Sequence, residues 1–335
     1  MIQYSDVRQI HLELSTLCNA RCPLCPRNFY GYPYNDGYPE VNLTLIQIQK
    51  IFDKSFLKQI SKITIEGNFG DATLNPETLD IIRYFKKPNP GMTIIMHTNG
   101  VARDEKFWEE LAELGVETVF ALDGLEDTHH LYRQDTDYKR ILKNAQVFIN
   151  RGGHAVWKMI PFDHNKHQIN QCRDLSIRLG FANFTLYDES RDSGPVYDKD
   201  GNLTQVMGTY SGETQFEIKF KSRTTDLVLL EDIVGDRKTK EKISCQSIGR
   251  KSIYVSANGE VSPCCFMGFY PKTYGHGAYH QAVNKQISDI VHKNNALEYP
   301  LEECLEWFND IKKRWQLTSY QQGRLVVCDD NCGHN

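Results

Sequence analysis

The chain has 335 residues, enough for a large α/β domain with a smaller companion, and a formal charge of −4 that gives no global reason to expect a nucleic-acid partner. Its opening, MIQYSDVRQIHLELS, has neither a basic n-region nor an apolar core, and no window approaches the roughly 18 apolar residues of a membrane span; a cytoplasmic protein with no membrane partner is expected. Ten cysteines, bunched and without a secretion signal, point to metal ligation in place of disulfides.

In chain order, QIHLELS (9–15) alternates as a first strand, and Cys18, Cys22 and Cys25 follow it in a CxxxCxxC arrangement. LTLIQIQKIFDKSFL (43–57) has helical periodicity. KITIEG, MTIIMHTNG, VETVFALDG, HAVWKMIPF and FANFTLYD supply five more strands, with helices expected at 76–86, 104–114, 138–151 and 166–179. Such βα repeats imply parallel strands joined by right-handed crossovers, as in a barrel or a wound sheet. Barrel sites lie at the C-terminal ends of strands, and each polar motif sits at such an end: the cysteine trio, EGNFGD, HTNG and LDGLED. After about residue 190 the periodicity fades. RDSGPVYDKDGNLTQVMGTYSGET reads as a linker or an active-site loop, SIYVSANGEVSPCC as a hairpin turning at Asn258-Gly259, and 281–315 as helical.

Thiolates select zinc, copper(I) or iron–sulfur clusters, and a structural zinc wants four closed ligands. No fourth Cys or His lies near the trio except His11, upstream on the strand. Three thiolates on a four-iron cluster leave one iron open to a small molecule. Cys172 and Cys304 stand alone on helix-like sequence and read as buried or inert thiols. His129, His130, His164 and His167 read as surface or capping residues.

With these motifs in this order, residues 8–190 resemble the radical S-adenosylmethionine (SAM) superfamily, whose hallmark is CxxxCxxC after the first strand of a partial six-fold βα barrel. The resemblance implies that Cys18, Cys22 and Cys25 hold a 4Fe–4S cluster whose open iron binds SAM. It implies that SAM is cleaved to a 5′-deoxyadenosyl radical, and that the radical abstracts a substrate hydrogen. GNFGD is similar to the family's Gly-Gly-Glu motif, which matches Gly70 and Asp71 to contacts with the SAM amino group. TNG brings Thr98 and Asn99 near SAM. LDGLEDTHHLYR is similar to the family's SxDG pattern and implies roles for Asp123 and for Arg133, which suits the SAM carboxylate. Asn165 matches a polar position after strand 5. Leu24 stands where an aromatic residue is usual, so adenine packing is expected from elsewhere, with Phe29 and Tyr30 as candidates.

Cys245, Gly259, Cys264 and the Cys328-xxx-Cys332 pair resemble parts of the SPASM extension, in its shortened twitch form with one auxiliary 4Fe–4S cluster. The expected auxiliary ligands are Cys245, Cys264, Cys328 and Cys332; Cys265, adjacent to Cys264, is the alternative, and a zinc held by four thiolates satisfies the same count. The fold class implied is α/β, a partial (βα)6 TIM-like barrel over 1–215, followed by a small cysteine-rich α+β twitch/SPASM-like domain over 216–335. The function implied is a radical SAM oxidoreductase, or related radical SAM enzyme, acting on a small polar substrate by oxidation or rearrangement, with a reducing partner such as flavodoxin or ferredoxin. Two alternatives stand beside it: a peptide- or protein-modifying maturase, and a non-catalytic iron–sulfur or zinc-binding protein.

Overall fold

The computed structural model describes residues 2–28, 30–33, 39–187, 194–207, 234, 237–269 and 278–334. The alternating runs become strands β1 (Gln9–Leu12), β2 (Lys62–Ile65), β3 (Thr93–Thr98), β4 (Glu117–Ala121), β5 (Ala155–Met159) and β6 (Asn183–Leu186). Later come β7 (Gly194–Tyr197), β8 (Leu203–Met207), β9 (Lys242–Ile243), β10 (Ser252–Val255), β11 (Val261–Ser262) and β12 (Gly333–His334). The helices that matter below are α1 (Leu45–Ile51), α2 (Lys54–Gln59), α3 (Thr78–Lys86), α4 (Glu105–Glu113), α5 (Glu126–Tyr132), α6 (Tyr138–Asn150) and α7 (Ile169–Arg178). They are followed by α8 (Gln246–Arg250), α9 (Cys265–Phe269), α10 (Ala278–Ile287), α11 (Phe308–Trp315) and α12 (Val326–Cys332). Eight strands make a mostly parallel sheet in the order β11-β10-β1-β2-β3-β4-β5-β6, with the parallel strands that the βα repeats led us to expect. No helix among the described residues is long and apolar enough to cross a membrane.

The chain forms two compact units, one of Met1–Leu12, Leu43–Ile63 and Glu217–Asn335, the other of Glu13–Asn42 and Thr64–Phe216. In the second, β3 through β6 run parallel, and α4 and α6 begin at aspartate caps: Asp104 accepts from the Phe107 amide at 3.0 Å and Asp137 from the Arg140 amide at 3.1 Å. Phe120, next to the last residue of β4, is fully buried with ring centroids of Trp108, Phe148 and Phe181 at 5.4, 6.0 and 6.1 Å. This aromatic cluster holds the helices on one face of the sheet and so fixes where the strand ends point.

Several local differences from the expectation have plain causes. The single helix expected over 43–57 is two, because Asp53 takes an extended backbone and caps α2 by accepting from the Phe56 amide at 2.8 Å. Helix α5 was not anticipated, since its inward face is built from Thr128, His129 and Tyr132 in place of aliphatic residues. Part of the stretch read as a linker or active-site loop is the hairpin β7–β8, closed by Asp198 accepting from the Asp200 and Asn202 amides at 2.9 and 2.8 Å, with Val196, Tyr197 and Met207 buried; the rest of that stretch lies outside the described residues.

In the first unit, β10 pairs parallel with β1, Gln9 opposite Ser252 through Leu12 opposite Val255, and β11 turns back antiparallel through a left-handed Gly259 at φ +85°. The hairpin expected around Asn258-Gly259 is therefore also an extension of the main sheet. The helical stretch expected over 281–315 is interrupted: α10 ends at Ile287, and only a short 3-10 turn, Glu303–Leu305, precedes α11.

Replacing Phe120 with Ala removes the ring on which three aromatic contacts converge. It is expected to lower stability by about 3–5 kcal/mol, read as a fall in the urea midpoint under anaerobic conditions.

Candidate active site and auxiliary cysteine site

The loop after β1 brings Cys18, Cys22 and Cys25 to the wall of a cavity of about 930 Å³, a volume that includes its open mouth. Their spacing is held by a turn in which the Cys25 amide donates to the Cys22 carbonyl at 3.0 Å and the Asn28 side chain donates to the same carbonyl at 3.2 Å. The sulfurs receive N–H donors: the Ala20 amide and the Asn99 side chain reach Cys18 Sγ at 3.4 and 3.7 Å, and the Arg133 guanidinium reaches Cys22 Sγ at 3.7 Å. Burial pushes the Cys18 thiol well up, and pushes Cys22 up to about 11 although Arg133 opposes it. A cationic metal centre reverses that balance, because a coordinating thiol is deprotonated outright. Three sulfurs, two of them with donors already aimed at them, suit an anionic, thiolate-ligated iron–sulfur group.

Asp71 is nearly buried at the end of the loop after β2, and its carboxylate is filled by protein donors. The Thr73 amide and hydroxyl reach Oδ1 at 2.9 and 2.6 Å, the Thr98 hydroxyl lies 2.9 and 3.0 Å from the two oxygens, and the Asn99 amide reaches Oδ2 at 2.8 Å. A carboxylate offers about four lone-pair sites, so these donors engage most of its acceptor capacity, and Asp71 also lines the cavity. Asp71 joins the ends of β2 and β3, and its own amide donates to the Leu17 carbonyl at 2.8 Å, tying in the cysteine loop. Gly70 is required sterically: a Cβ there would lie 1.9 Å from the Ser15 carbonyl oxygen. Beside it, Glu13, fully buried and not singled out from the sequence, accepts from the Phe69 and Gly70 amides at 2.8 and 3.2 Å.

Thr98, Asn99 and Arg133 line the cavity with the cysteines. Asp123 does not; it is fully buried behind Arg133, pairing with Nε at 2.6 Å and accepting from the Ile160 amide at 2.6 Å. Asn165 is not on the wall either. Its side chain accepts from the Phe162 amide at 2.7 Å and donates to the Ile160 carbonyl at 3.0 Å, so it staples the turn after β5. His129, read from the sequence as a surface or cap residue, is buried with Nδ1 3.2 Å from the Asp123 amide and Nε2 3.1 Å from the Thr136 hydroxyl. Phe29 lies outside the described residues.

The cavity lining also carries polar residues that sequence reading missed. Glu66 Oε1 is 3.3 Å from His97 Nδ1 and 3.9 Å from Lys158 Nζ, and that ammonium sits 4.6 Å from the centre of the Tyr187 ring. The available signal was a lysine and a histidine inside strands that otherwise read as apolar runs, β5 and β3.

In the other unit, Cys245, Cys264, Cys328 and Cys332 line an apolar cavity of about 410 Å³ together with Ile311 and Trp315. Cys265 opens α9 and is not among the lining residues. The Cys245 and Cys332 thiols share a hydrogen bond that favours the Cys245 thiolate, while burial pushes Cys264 well up and Cys328 up to about 12. The segment is locked by a buried ion pair, Arg324–Asp329 at 2.8 Å, which the sequence reading also missed. Arg324 further donates to the carbonyls of Trp315, Leu317 and Lys240 at 2.6, 3.1 and 2.6 Å. Among the described residues no three Cys, His, Asp or Glu side chains lie close enough to share a single metal ion. Four sulfur donors around an apolar void suit a bulky thiolate-ligated cluster.

Residues 12–170 match the model of the radical SAM superfamily, and residues 245–332 match that of the SPASM iron–sulfur cluster-binding domain. The tungsten-containing aldehyde ferredoxin oxidoreductase cofactor-modifying protein of Pyrococcus furiosus is 31% identical over 334 residues, covering 92% of this chain and 85% of that protein. Among solved structures, Streptococcus suis SuiB bound to S-adenosylmethionine is 14% identical with a TM-score of 0.60, over 97% of this chain and 73% of that one. The structure of anSMEcpe with bound AdoMet is 17% identical with a TM-score of 0.55, over 97% of this chain and 86% of that one.

His129 supplies a pH test. Burial lowers its pKa to about 4, against roughly 6.5 unfolded, so between those values the unfolded state binds the extra proton and stability rises with pH. Lowering the pH from 7 to 5 is expected to cost about 2 kcal/mol through this group. In His129→Gln that share of the pH dependence should vanish from urea midpoints measured at the two pH values.

Proposed function

Because the chain belongs to the radical SAM superfamily and carries a SPASM iron–sulfur domain, we propose that it is an oxidoreductase acting on a small polar substrate seated against Glu66, His97, Lys158 and Tyr187. The cofactors that accompany these domains are a 4Fe–4S cluster, SAM and an auxiliary iron–sulfur cluster, and the first two supply reductive cleavage of the sulfonium to a hydrogen-abstracting 5′-deoxyadenosyl radical.

On this reading, with the barrel domain over 1–215 and the auxiliary domain over 216–335, Cys18, Cys22 and Cys25 hold the first cluster. Cys245, Cys264, Cys328 and Cys332 hold the second. Gly70 lets backbone approach closely where any side chain would clash. Arg133 offers its guanidinium to the SAM carboxylate, with charge held in place by Asp123. Asp71 orients Thr98 and Asn99, and Asn165 acts only through the turn at Ile160. Four cysteine thiolates close the auxiliary site to substrate and leave it electron transfer, which suits a net oxidation; a flavodoxin or ferredoxin would supply the reducing electron.

The observation that carries the substrate class is the polar wall. Glu66, His97 and Lys158 are partly exposed to the same cavity that the cysteine trio lines, a poor lining for an apolar molecule. The Pyrococcus relative's named role in modifying an enzyme cofactor favours a second reading, in which the polar substrate is a cofactor or its precursor. SuiB has been solved with a precursor peptide, which keeps a peptide substrate as the competing outcome.

The test is anaerobic: reconstitute with iron and sulfide, reduce with dithionite, and measure 5′-deoxyadenosine from SAM. Wild type is expected to form it and Cys22→Ala to form none; no product from a wild type with verified clusters would overturn the reading. Deuterium transfer into deoxyadenosine from deuterated candidates, cofactor precursors and peptides included, then separates the substrate classes. Lys158→Met should retain SAM cleavage without substrate and lose about 10–100-fold in kcat/KM for the true substrate, as expected for a charged hydrogen-bond donor.

A further inference from the structure

Trp315 ends α11 at the edge of the auxiliary cysteine cavity, which its indole helps to line. Its ring nitrogen is buried and, among the described residues, makes no hydrogen bond. Leaving an N–H buried without an acceptor is costly, so native proteins keep such groups where an acceptor arrives. The lining offers sulfur. Apart from the four cysteines, Met267, Trp315 and Asn331, its side chains are hydrocarbon; the Asn331 amide nitrogen donates to the Val327 carbonyl at 2.8 Å, which leaves that side chain's oxygen as the one acceptor among the lining side chains that is not sulfur. The placement of the indole is also enforced. Arg324 holds the Trp315 carbonyl at 2.6 Å while pairing with Asp329, the residue after Cys328, so one guanidinium fixes both the tryptophan and the cysteine-bearing helix α12.

We propose that the Trp315 indole N–H donates a hydrogen bond to a cysteine sulfur of the auxiliary cluster and raises that cluster's reduction potential. This rests on the ligand set given above. Reduction adds negative charge that spreads onto the sulfurs, so an N–H donor stabilises the reduced form more than the oxidised one, and the apolar lining keeps the difference from being screened.

The experiment uses the full chain with Cys18, Cys22 and Cys25 changed to Ala, so that only the auxiliary cluster titrates, and follows reduction by electron paramagnetic resonance at controlled potential. Trp315→Phe keeps the ring and removes the donor. With iron and sulfide content unchanged, the reduced-to-oxidised ratio at a fixed potential is expected to fall about tenfold, a downward shift of about 59 mV for a one-electron couple. Trp307 is the control, since its ring nitrogen is also buried without a partner but it does not line the cavity. Trp307→Phe should leave the potential in place. No shift in Trp315→Phe with the cluster intact, or an equal shift in both variants, would overturn the proposal. Should Trp315→Phe lose its cluster, the unmutated tryptophans decide: with ¹⁵N-indole labelling, a hyperfine coupling between nitrogen and the reduced cluster supports the bond, and its absence overturns it. Zinc in place of iron in the triple-cysteine variant would instead overturn the ligand reading on which the proposal stands.

Discussion

The second unit's site depends on one buried carboxylate. Asp71 accepts from Thr73, Thr98 and Asn99 while its amide reaches back to Leu17, so the ends of β2 and β3 and the start of the cysteine loop are bound to a single residue. Asn99, so placed, is the residue whose side chain reaches Cys18 Sγ. Removing the carboxylate would leave several buried donors unpaired at once, a larger loss than any one of its hydrogen bonds suggests. A shorter aspartate in place of the family's usual glutamate fits this duty: its reach ends at the neighbouring loop.

The auxiliary site solves the same problem with a cation. Arg324 satisfies three carbonyls and a carboxylate, and so immobilises α12, which carries Cys328 and Cys332. Both arrangements place a fully paired polar network behind the sulfurs, where charge at a metal centre is stabilised by dipoles that do not have to reorganise. Buried ion pairs are weak contributors to net stability, and the Arg324–Asp329 pair is better understood as fixing geometry.

The fold was legible because parallel strands advertise themselves as short apolar runs between amphipathic helices, and because polar residues clustered at successive strand ends. What could not be read was which partner each polar side chain takes. Asp71 looks unpartnered in GNFGD, yet it accepts from residues 2, 27 and 28 positions away. Asn165 and Asp123 are drawn inward by amides after β5 in the same way. Glu13, Arg324 and Asp329 look like ordinary charged positions, since burial of a charge depends on contacts remote in sequence. Helix α5 escaped detection because a histidine, a threonine and a tyrosine do the burying. Lys158 and His97 could have been found, as the polar interruptions of otherwise apolar strands.

The pairing of β1 with β10 has a consequence for biosynthesis. Gln9–Leu12 emerges from the ribosome first, but its parallel neighbour Ser252–Val255 is made only near the end of the chain. At about 5–20 residues per second, that edge of the nascent sheet waits on the order of ten to fifty seconds for its partner. During that interval an apolar strand presents unpaired amides and carbonyls just upstream of a thiol-rich loop. Recombinant yield should therefore be governed as much by chaperone supply and oxygen exposure during synthesis as by the stability of the finished protein.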